Sequence, residues 1–204
     1  MSPNTVVAYL YDVGLFFSFL GSFETTKSIK NVELDDLKSF ISYIDKLDLG
    51  PYTQSRIISG VKAFFRYLML EKVISTDPSE LLESPKLGRK LPDVLTLDEV
   101  EKIINSVDLS IDEGERNKAI LETLYGCGLR VSELINLKIS DLYFKDGIIL
   151  VTGKGNKQRL VPIGKLAEKQ ISTYLKHVRP KINISKKYSD TLFLNRRGNQ
   201  LTRQ

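Results

Sequence analysis

Two short stretches hold residue types that could bind a phosphate group and act on it. In the first, residues 126–137, Arg130 follows a Gly-x-Gly break and precedes a predicted helix whose N-cap is Ser132. The N–H groups of a helix N-terminus attract anions, and a guanidinium can donate two parallel hydrogen bonds to phosphate oxygens. Glu133, three residues on, could hold that guanidinium. An ordinary ion pair at a surface helix start is the alternative.

The second stretch, residues 152–159, lies between two apolar runs and holds Lys154 with a glycine on each side. Glycines let a loop approach a ligand closely, so Lys154 could reach a phosphate or a leaving oxygen. Lys157 and Arg159 in the same stretch are further candidates for contact with a polyanion. The alternative is a plain basic turn.

Other kinds of catalytic site find no support in the sequence. Five residues separate Gly147 from Gly153 and Gly155 replaces the Ser or Thr of a P-loop, which excludes nucleotide hydrolysis. Cys127 is the single cysteine, so an internal disulfide and a cysteine zinc site are excluded, and we expect a small packed residue. His177, the single histidine, is expected to be a solvated residue near a helix end. We expect neither a metal nor a cofactor.

Basic charge is concentrated in the second half of the chain. The 204 residues have a net charge of +5, yet residues 1–85 hold 8 basic and 11 acidic side chains, whereas residues 145–204 hold 14 and 3. This asymmetry favours a polyanion partner, with a solvated basic surface as the alternative. The sequence contains no stretch of about 18 apolar residues and no signal-peptide pattern, so we expect a cytoplasmic protein.

Helical periodicity dominates the first 84 residues and predicts a small all-helical bundle. The predicted helices span 3–20, 34–47 and 53–73, with a further helical turn at 77–82. On the first helix the predicted apolar face consists of Val6, Leu10, Val13, Phe16, Phe17 and Leu20. Three basic residues of the third helix are either ordinary surface positions or phosphate contacts: Arg56, Lys62 and Arg66.

A second domain follows a basic, proline-containing stretch at 84–92, which is typical of a linker and could cross a DNA backbone or serve as a simple tether. Helices are predicted at 96–107, 112–125, 132–137 and 165–178, the first with a capping box formed by Thr96 and Glu99. Strands are predicted at 148–151, 159–163 and 191–194. The first two form a hairpin around 153–158, and Pro162 indicates an edge strand.

Taken together, these segments resemble the tyrosine site-specific recombinases, and within them the XerC/XerD group. The resemblance covers nearly the whole chain and is specific because of the order and spacing of the matching segments. They are residues 2–9, 56–72, 84–87, 91–92, 128–134 (GLRVSEL), 153–163 (GKGNKQRLVPI) and 201–204.

The resemblance implies a mixed, mainly α fold that closes on duplex DNA as a C-shaped clamp. Its parts would be a helical, SAM-like core-binding domain at 1–84, a basic linker at 85–95, and the N-terminal part of an α/β catalytic domain with a small β-hairpin or sheet at 96–204. The family cuts one strand with a tyrosine nucleophile and rejoins strands through a 3′-phosphotyrosyl bond, without a metal or nucleotide. Its partners are duplex DNA with paired half-sites and recombinase protomers in a tetramer, either identical or of a XerC/XerD-type hetero-pair.

By position, Arg130 would clamp the reacting phosphate and stabilise charge on the pentavalent phosphorus, and Lys154 would protonate the leaving 5′ oxygen. Glu133 would hold Arg130, while Arg56, Lys62, Arg66, Lys157 and Arg159 would contact DNA. The family also requires a His-x-x-Arg pair, a further His or Trp and the tyrosine, and none of these motifs is present. We therefore expect part of a longer protein, able to bind DNA but not to cleave it.

Four functions are compatible with the sequence at this point. The first is a Xer-type recombinase that resolves chromosome dimers. The second is an integrase of a phage or mobile element, and the third is a non-catalytic DNA-binding protein that retains the clamp. The fourth, a helical protein-interaction module, agrees poorly with the net charge of +11 over residues 145–204.

Overall fold

The computed structural model describes residues 3–22, 27–85, 87–88 and 93–203. The chain divides into two compact units, Met1–Pro92 and Asp93–Gln204. Both contain α-helices, and the second also contains a small antiparallel sheet. The mixed, mainly helical fold predicted from the sequence is confirmed. The linker bounds 85–95 stay a prediction, and residues 86 and 89–92 lie outside the described part.

In the described part of unit 1 there are three α-helices, and their ends lie within three residues of the predicted positions. They are α1 (Pro3–Leu20), α2 (Leu34–Asp45) and α3 (Pro51–Leu70), with a 3₁₀ turn at Ile29–Asn31. Pro51 suits the first position of α3 because that position has no N–H partner within the helix. The Asp36 carboxylate accepts a hydrogen bond from the Glu33 N–H at 2.7 Å and so satisfies a donor at the start of α2. Residues 78–81, predicted as a helical turn, form a turn of the backbone.

The core of unit 1 is built around aromatic side chains from all three helices. The centroid of the Phe16 ring lies 5.1 Å from that of Phe40 and 5.8 Å from that of Phe65, in both cases edge to face. All three rings are buried. Such pairs add to the stabilisation that comes from burial alone.

The predicted apolar face of α1 is only partly right. Phe16 and Leu20 are buried as predicted, but Val6, Leu10 and Phe17 are exposed. The buried positions are instead Asp12, Phe16, Phe19 and Leu20, which recur at helical spacing. Apolar residues surround α1 on several sides, so periodicity could not choose the buried side, whereas the contact of Asp12 with α3 fixes it.

Unit 2 begins with the helices α4 (Leu97–Asn105) and α5 (Asp112–Cys127). The predicted capping box is confirmed: the Glu99 carboxylate accepts from the Thr96 N–H at 2.8 Å, and Thr96 Oγ1 accepts from the Glu99 N–H at 3.3 Å. Gly128, with φ +57°, ends α5 in the left-handed conformation that glycine adopts without strain. No described helix has both the length and the apolar character needed to cross a membrane.

A three-stranded antiparallel sheet follows the short helix α6 (Val131–Ile135). Its strands, in the order β1-β2-β3, are β1 (Leu142–Tyr143), β2 (Ile148–Thr152) and β3 (Gln158–Pro162). The predicted hairpin is confirmed, with Val151 opposite Arg159, and Pro162 lies on an edge strand as expected. The two-residue strand β1 was not predicted because it is too short to show alternation.

The last part of unit 2 packs around a buried tyrosine. α7 (Lys165–Thr173) continues into a wider π-helical turn at Tyr174–Val178, which together cover the predicted helix. Short 3₁₀ turns occupy Ile139–Asp141, Phe144–Asp146, Lys154–Asn156, Arg179–Lys181 and Lys186–Tyr188. The Tyr174 hydroxyl accepts a hydrogen bond from the Leu194 N–H at 3.3 Å.

The predicted strand at 191–194 is wrong. This segment makes only isolated bridges among the described residues, Lys138 to Thr191 and Leu194 to Gln200. Residues 192–194 are all fully buried, so the apolar run fills the core instead of alternating along a sheet. A turn follows at residues 195–198, and Gly198 adopts φ +70° within it.

Truncating Phe16 to alanine should lower the unfolding free energy of unit 1 by about 3–5 kcal/mol, because a buried ring and its two edge-to-face contacts are lost. Its neighbour Phe17 is half exposed, so Phe17→Ala is a matched control that should cost about 1 kcal/mol or less. Native-state hydrogen exchange of the α3 amides measures both values. Equal losses in the two variants would contradict the assigned face of α1.

Candidate functional site

The N-cap of α6 lies two residues before the predicted one. Arg130, not Ser132, is the N-cap, with φ −73° and ψ 150°. The N-cap lies two residues earlier than expected because the Glu133 carboxylate reaches back and accepts a hydrogen bond from the Arg130 N–H at 2.8 Å. A serine cap is therefore not needed. Cys127, at the end of the preceding helix, is buried in the core as predicted.

Glu133 connects the predicted site residues. Its side chain is only 3% exposed, and both carboxylate oxygens are bonded to arginines. Oε1 accepts from Arg130 Nη1 at 3.0 Å and from Arg159 Nη1 at 2.7 Å, and Oε2 accepts from Arg159 Nη2 at 2.9 Å. With the Arg130 N–H, the carboxylate thus has four donors, and its expected role of holding the Arg130 guanidinium is consistent with this geometry.

These contacts stabilise the ionised form of Glu133. The hydrogen bonds from the Arg159 guanidinium are the largest influence, and with those from Arg130 they outweigh the opposing effect of burial. Together they lower the pKa of Glu133 from 4.5 to about 2. The same pairing raises the pKa of Arg159. The pair is therefore charged throughout the physiological range.

The hairpin loop lies directly against this carboxylate. A Cβ atom at Gly153 would be 3.2 Å from Glu133 Oε1, so the glycine permits a close approach that a side chain would disturb. The Gly153 N–H donates to the Lys157 carbonyl at 2.8 Å, and Gly155 adopts φ +72° at the tip. The Lys154 and Lys157 side chains are exposed there, and neither ammonium group makes a hydrogen bond or ion pair with any residue that the structure describes. Arg130, Glu133, Arg159 and the root of the Lys154 loop therefore come together in unit 2.

The other three predicted DNA contacts belong to unit 1, and two of them are bound by the protein itself. Arg56 Nη1 donates to both carboxylate oxygens of the fully buried Asp12 at 2.6 Å. Lys62 Nζ donates to the Leu82 carbonyl at 3.0 Å. Arg66 is exposed and makes no ion pair with another described residue. Contact of these residues with DNA stays a prediction.

Two partnerships were missed by sequence reasoning. Asp12 lies four residues before Phe16 on an apolar helix face, and a lone carboxylate at such a position signals a buried cationic partner. Arg159 had no comparable signal, because its partner Glu133 lies 26 residues away on another element. Burial of Asp12 raises its pKa even though Arg56 acts in the opposite direction.

Comparison with known proteins agrees with this arrangement. Residues 93–204 match the family described as Phage integrase family, and residues 1–72 match the description Phage integrase, N-terminal SAM-like domain. The chain belongs to the phage integrase family. Relatives of this chain are tyrosine recombinases, so the predicted resemblance to that family is confirmed.

The relatives include both types of Xer recombinase. Tyrosine recombinase XerD of Listeria innocua is 40% identical over 204 residues, which are the whole of this chain and 69% of the relative. Tyrosine recombinase XerC of Oceanobacillus iheyensis is 39% identical over 98% of this chain and 66% of its own length. A solved structure of XerH site-specific recombinase bound to palindromic difH substrate, a post-cleavage complex, is 25% identical with a TM-score of 0.73. It covers 98% of this chain and 58% of its own.

The low pKa of Glu133 predicts a specific loss of stability in acid. A folded-state pKa lowered from 4.5 to about 2 contributes stabilisation that is complete above pH 4.5 and is lost as the pH falls towards 2. The contribution to unit 2 is on the order of 3 kcal/mol. Urea unfolding between pH 2 and 6, followed through β2 amide signals, measures it.

Glu133→Gln should lack that part of the pH dependence, whereas Glu101→Gln, which changes an exposed carboxylate on α4, should alter the unfolding free energy by less than about 0.5 kcal/mol. If wild type and Glu133→Gln keep a constant difference across this pH range, Glu133 is not the ionised centre of the cluster.

Proposed function

We propose that this chain supplies the DNA-clamping part of a Xer-type site-specific tyrosine recombinase that acts in the cytoplasm and resolves chromosome dimers. The observation that carries the proposal is the cluster around Glu133, which brings Arg130 next to the loop that holds Lys154. Relatives named XerD and XerC at 40% and 39% identity support the Xer assignment.

In this proposal Arg130 binds the phosphate at which the strand is cut. Its side chain is 77% exposed, although it is fixed at the helix start by the buried carboxylate. Of the guanidinium nitrogens only Nη1 donates to Glu133, and Nε and Nη2 make no hydrogen bond to another described side chain. A guanidinium that is fixed in place and still has donors can stabilise charge as it develops on the phosphorus.

Lys154 is proposed to be the general acid. As the family's tyrosine attacks phosphorus and the P–O5′ bond breaks, the leaving 5′ oxygen needs a proton. Lys154 lies at the tip of a glycine-flanked loop, exposed and without an ion pair to any described residue, and this freedom suits a donor that approaches substrate.

Duplex DNA with paired half-sites is the proposed substrate, and Arg66 and Lys157 are proposed to contact its phosphates. Both side chains are exposed and lack ion pairs within the described part of the chain. Other recombinase protomers, including a XerC/XerD-type hetero-partner, are proposed to join on DNA in a tetramer. The relatives of both names support such a pairing.

DNA binding should weaken steeply with salt, because each phosphate contact releases condensed counterions. The slope of log K against log salt concentration is about −0.9 per contact. Arg130→Ala and Lys154→Ala should each reduce the slope by about 0.9 and weaken binding roughly tenfold. Fluorescence anisotropy with a labelled Xer-type half-site duplex between 50 and 300 mM salt measures these quantities.

Lys38→Ala serves as the control, because it removes the same charge from a residue that is paired with Asp35 on the surface of α2. It should leave the slope unchanged. Salt-independent binding, or none, would contradict the proposed interface with DNA.

The 204-residue polypeptide is further proposed to bind DNA without cutting it. Its sequence holds Arg130 and Lys154 but no His-x-x-Arg motif followed by a tyrosine. Incubation with a nicked half-site that traps covalent intermediates should therefore give no adduct on a denaturing gel. An adduct that survives denaturation and is removed by protease would show that one of the nine tyrosines acts as a nucleophile.

A further inference from the structure

The pair formed by Arg159 and Glu133 joins two separate elements of unit 2. Arg159 lies on β3, opposite Val151 of β2, and Glu133 lies in the first turn of α6. Both terminal nitrogens of Arg159 donate to the carboxylate, one to each oxygen, at 2.7 and 2.9 Å. This bidentate geometry fixes orientation as well as distance.

We propose that Arg159 is a positioning residue, which fixes the root of the β2–β3 hairpin against α6 and so places Lys154 beside the phosphate that Arg130 binds. It acts through Glu133 and is not itself a phosphate contact. This inference rests on the proposed function for the roles of Lys154 and Arg130. The pairing of Arg159 with Glu133 is present without DNA and can be tested in the free protein.

The loop at the hairpin tip is joined to α6 by packing and not by side-chain hydrogen bonds of its own. A backbone hydrogen bond across the base of the loop runs from the Gly153 N–H to the Lys157 carbonyl. No side chain from 152–158 makes a hydrogen bond or ion pair with α6 among the residues that the structure describes. The approach of Gly153 to Glu133 Oε1 is a packing contact and depends on where that carboxylate is held.

The exposure of the two arginines supports different roles for them. Arg159 is 41% exposed and donates to Glu133 with both terminal nitrogens, whereas Arg130 is 77% exposed and donates with one. Phosphate binding by Arg159 would therefore compete with its carboxylate partner. Loss of that partner would leave a carboxylate with 3% exposure short of two donors, which is costly.

A lysine at position 159 separates charge from geometry. Arg159→Lys keeps a cation beside Glu133 but cannot donate from two fixed nitrogens to two oxygens. In the free protein we expect the Gly153 amide to exchange at least about tenfold faster in Arg159→Lys and in Arg159→Gln, while the amide of the buried Ile149 on β2 is unchanged. Wild-type exchange at Gly153 in Arg159→Lys would overturn the proposal.

A double-variant comparison on DNA tests the consequence for Lys154. If Arg159 positions Lys154, Lys154→Ala should reduce the salt slope by about 0.9 in the wild type and by nearly nothing in the Arg159→Lys background. If Arg159 contacts phosphate directly, Lys154→Ala should cost the same in both backgrounds and Arg159→Lys should keep the wild-type slope. That second result would overturn the proposal.

Arg66→Ala is the additivity control, since Arg66 belongs to unit 1 and its loss should cost the same in either background. Arg159→Lys also guards against misfolding, because Glu133 keeps a cationic neighbour that Arg159→Gln removes. If the wild type binds no DNA, the proposed function fails, and amide exchange at Gly153 in the free protein still decides whether Arg159 fixes the hairpin.

Discussion

A single buried carboxylate organises the candidate site. Burying a charged group is expensive unless its lone pairs are satisfied, and Glu133 meets this requirement with four donors from two arginines. The two arginines lie on different elements, Arg130 at the N-cap of α6 and Arg159 on β3. The site therefore forms only when the start of α6 and the hairpin come into contact. Because the buried charge must be paired, α6 and β3 are held in a fixed position relative to each other.

Unit 1 contains a similar pair, Asp12 with Arg56, in which burial and ion pairing shift the carboxylate pKa in the opposite overall direction. Asp12 is fully buried and faces Arg56 on α3, yet burial raises its pKa, whereas the pKa of Glu133 is lowered to about 2. Burial is the largest influence at Asp12, which is bonded to one guanidinium nitrogen. At Glu133 the hydrogen bonds from three guanidinium nitrogens and a backbone N–H outweigh burial. Asp12 and Arg56 fix the rotation of α1 against α3, and this pair explains why Arg56 is only partly available to a ligand.

The sequence predicted helices and the hairpin well because their signals are local. The residues that start and end a helix, and the spacing of its apolar side chains, lie within the helix or next to it. Thr96 and Glu99 form the capping box at the start of α4, and Gly128 ends α5. What it could not predict depends on distant contacts: the buried side of α1, which Asp12 decides, and the partner of Arg159, which lies 26 residues away. The segment 191–194 failed for the same reason, since its apolar run fits a strand or a buried loop equally well. The residue types and spacing predicted phosphate binding by Arg130 and Lys154, whereas their separate roles in charge stabilisation and proton donation are implied by the family resemblance.

The net charge of +11 over residues 145–204 overstates the number of side chains that are free to bind a polyanion. Arg179 donates to the Ser189 and Thr191 carbonyls, and Lys181 is paired with Asp112. Arg159 belongs to the same class, because its charge is matched within the fold. A phosphate-binding arginine must be fixed and yet keep donors for its ligand, and these needs conflict when one carboxylate takes both terminal nitrogens. At Glu133 the two arginines have separate roles. Arg159 donates two hydrogen bonds to the carboxylate, so Arg130 donates to it with only one side-chain nitrogen.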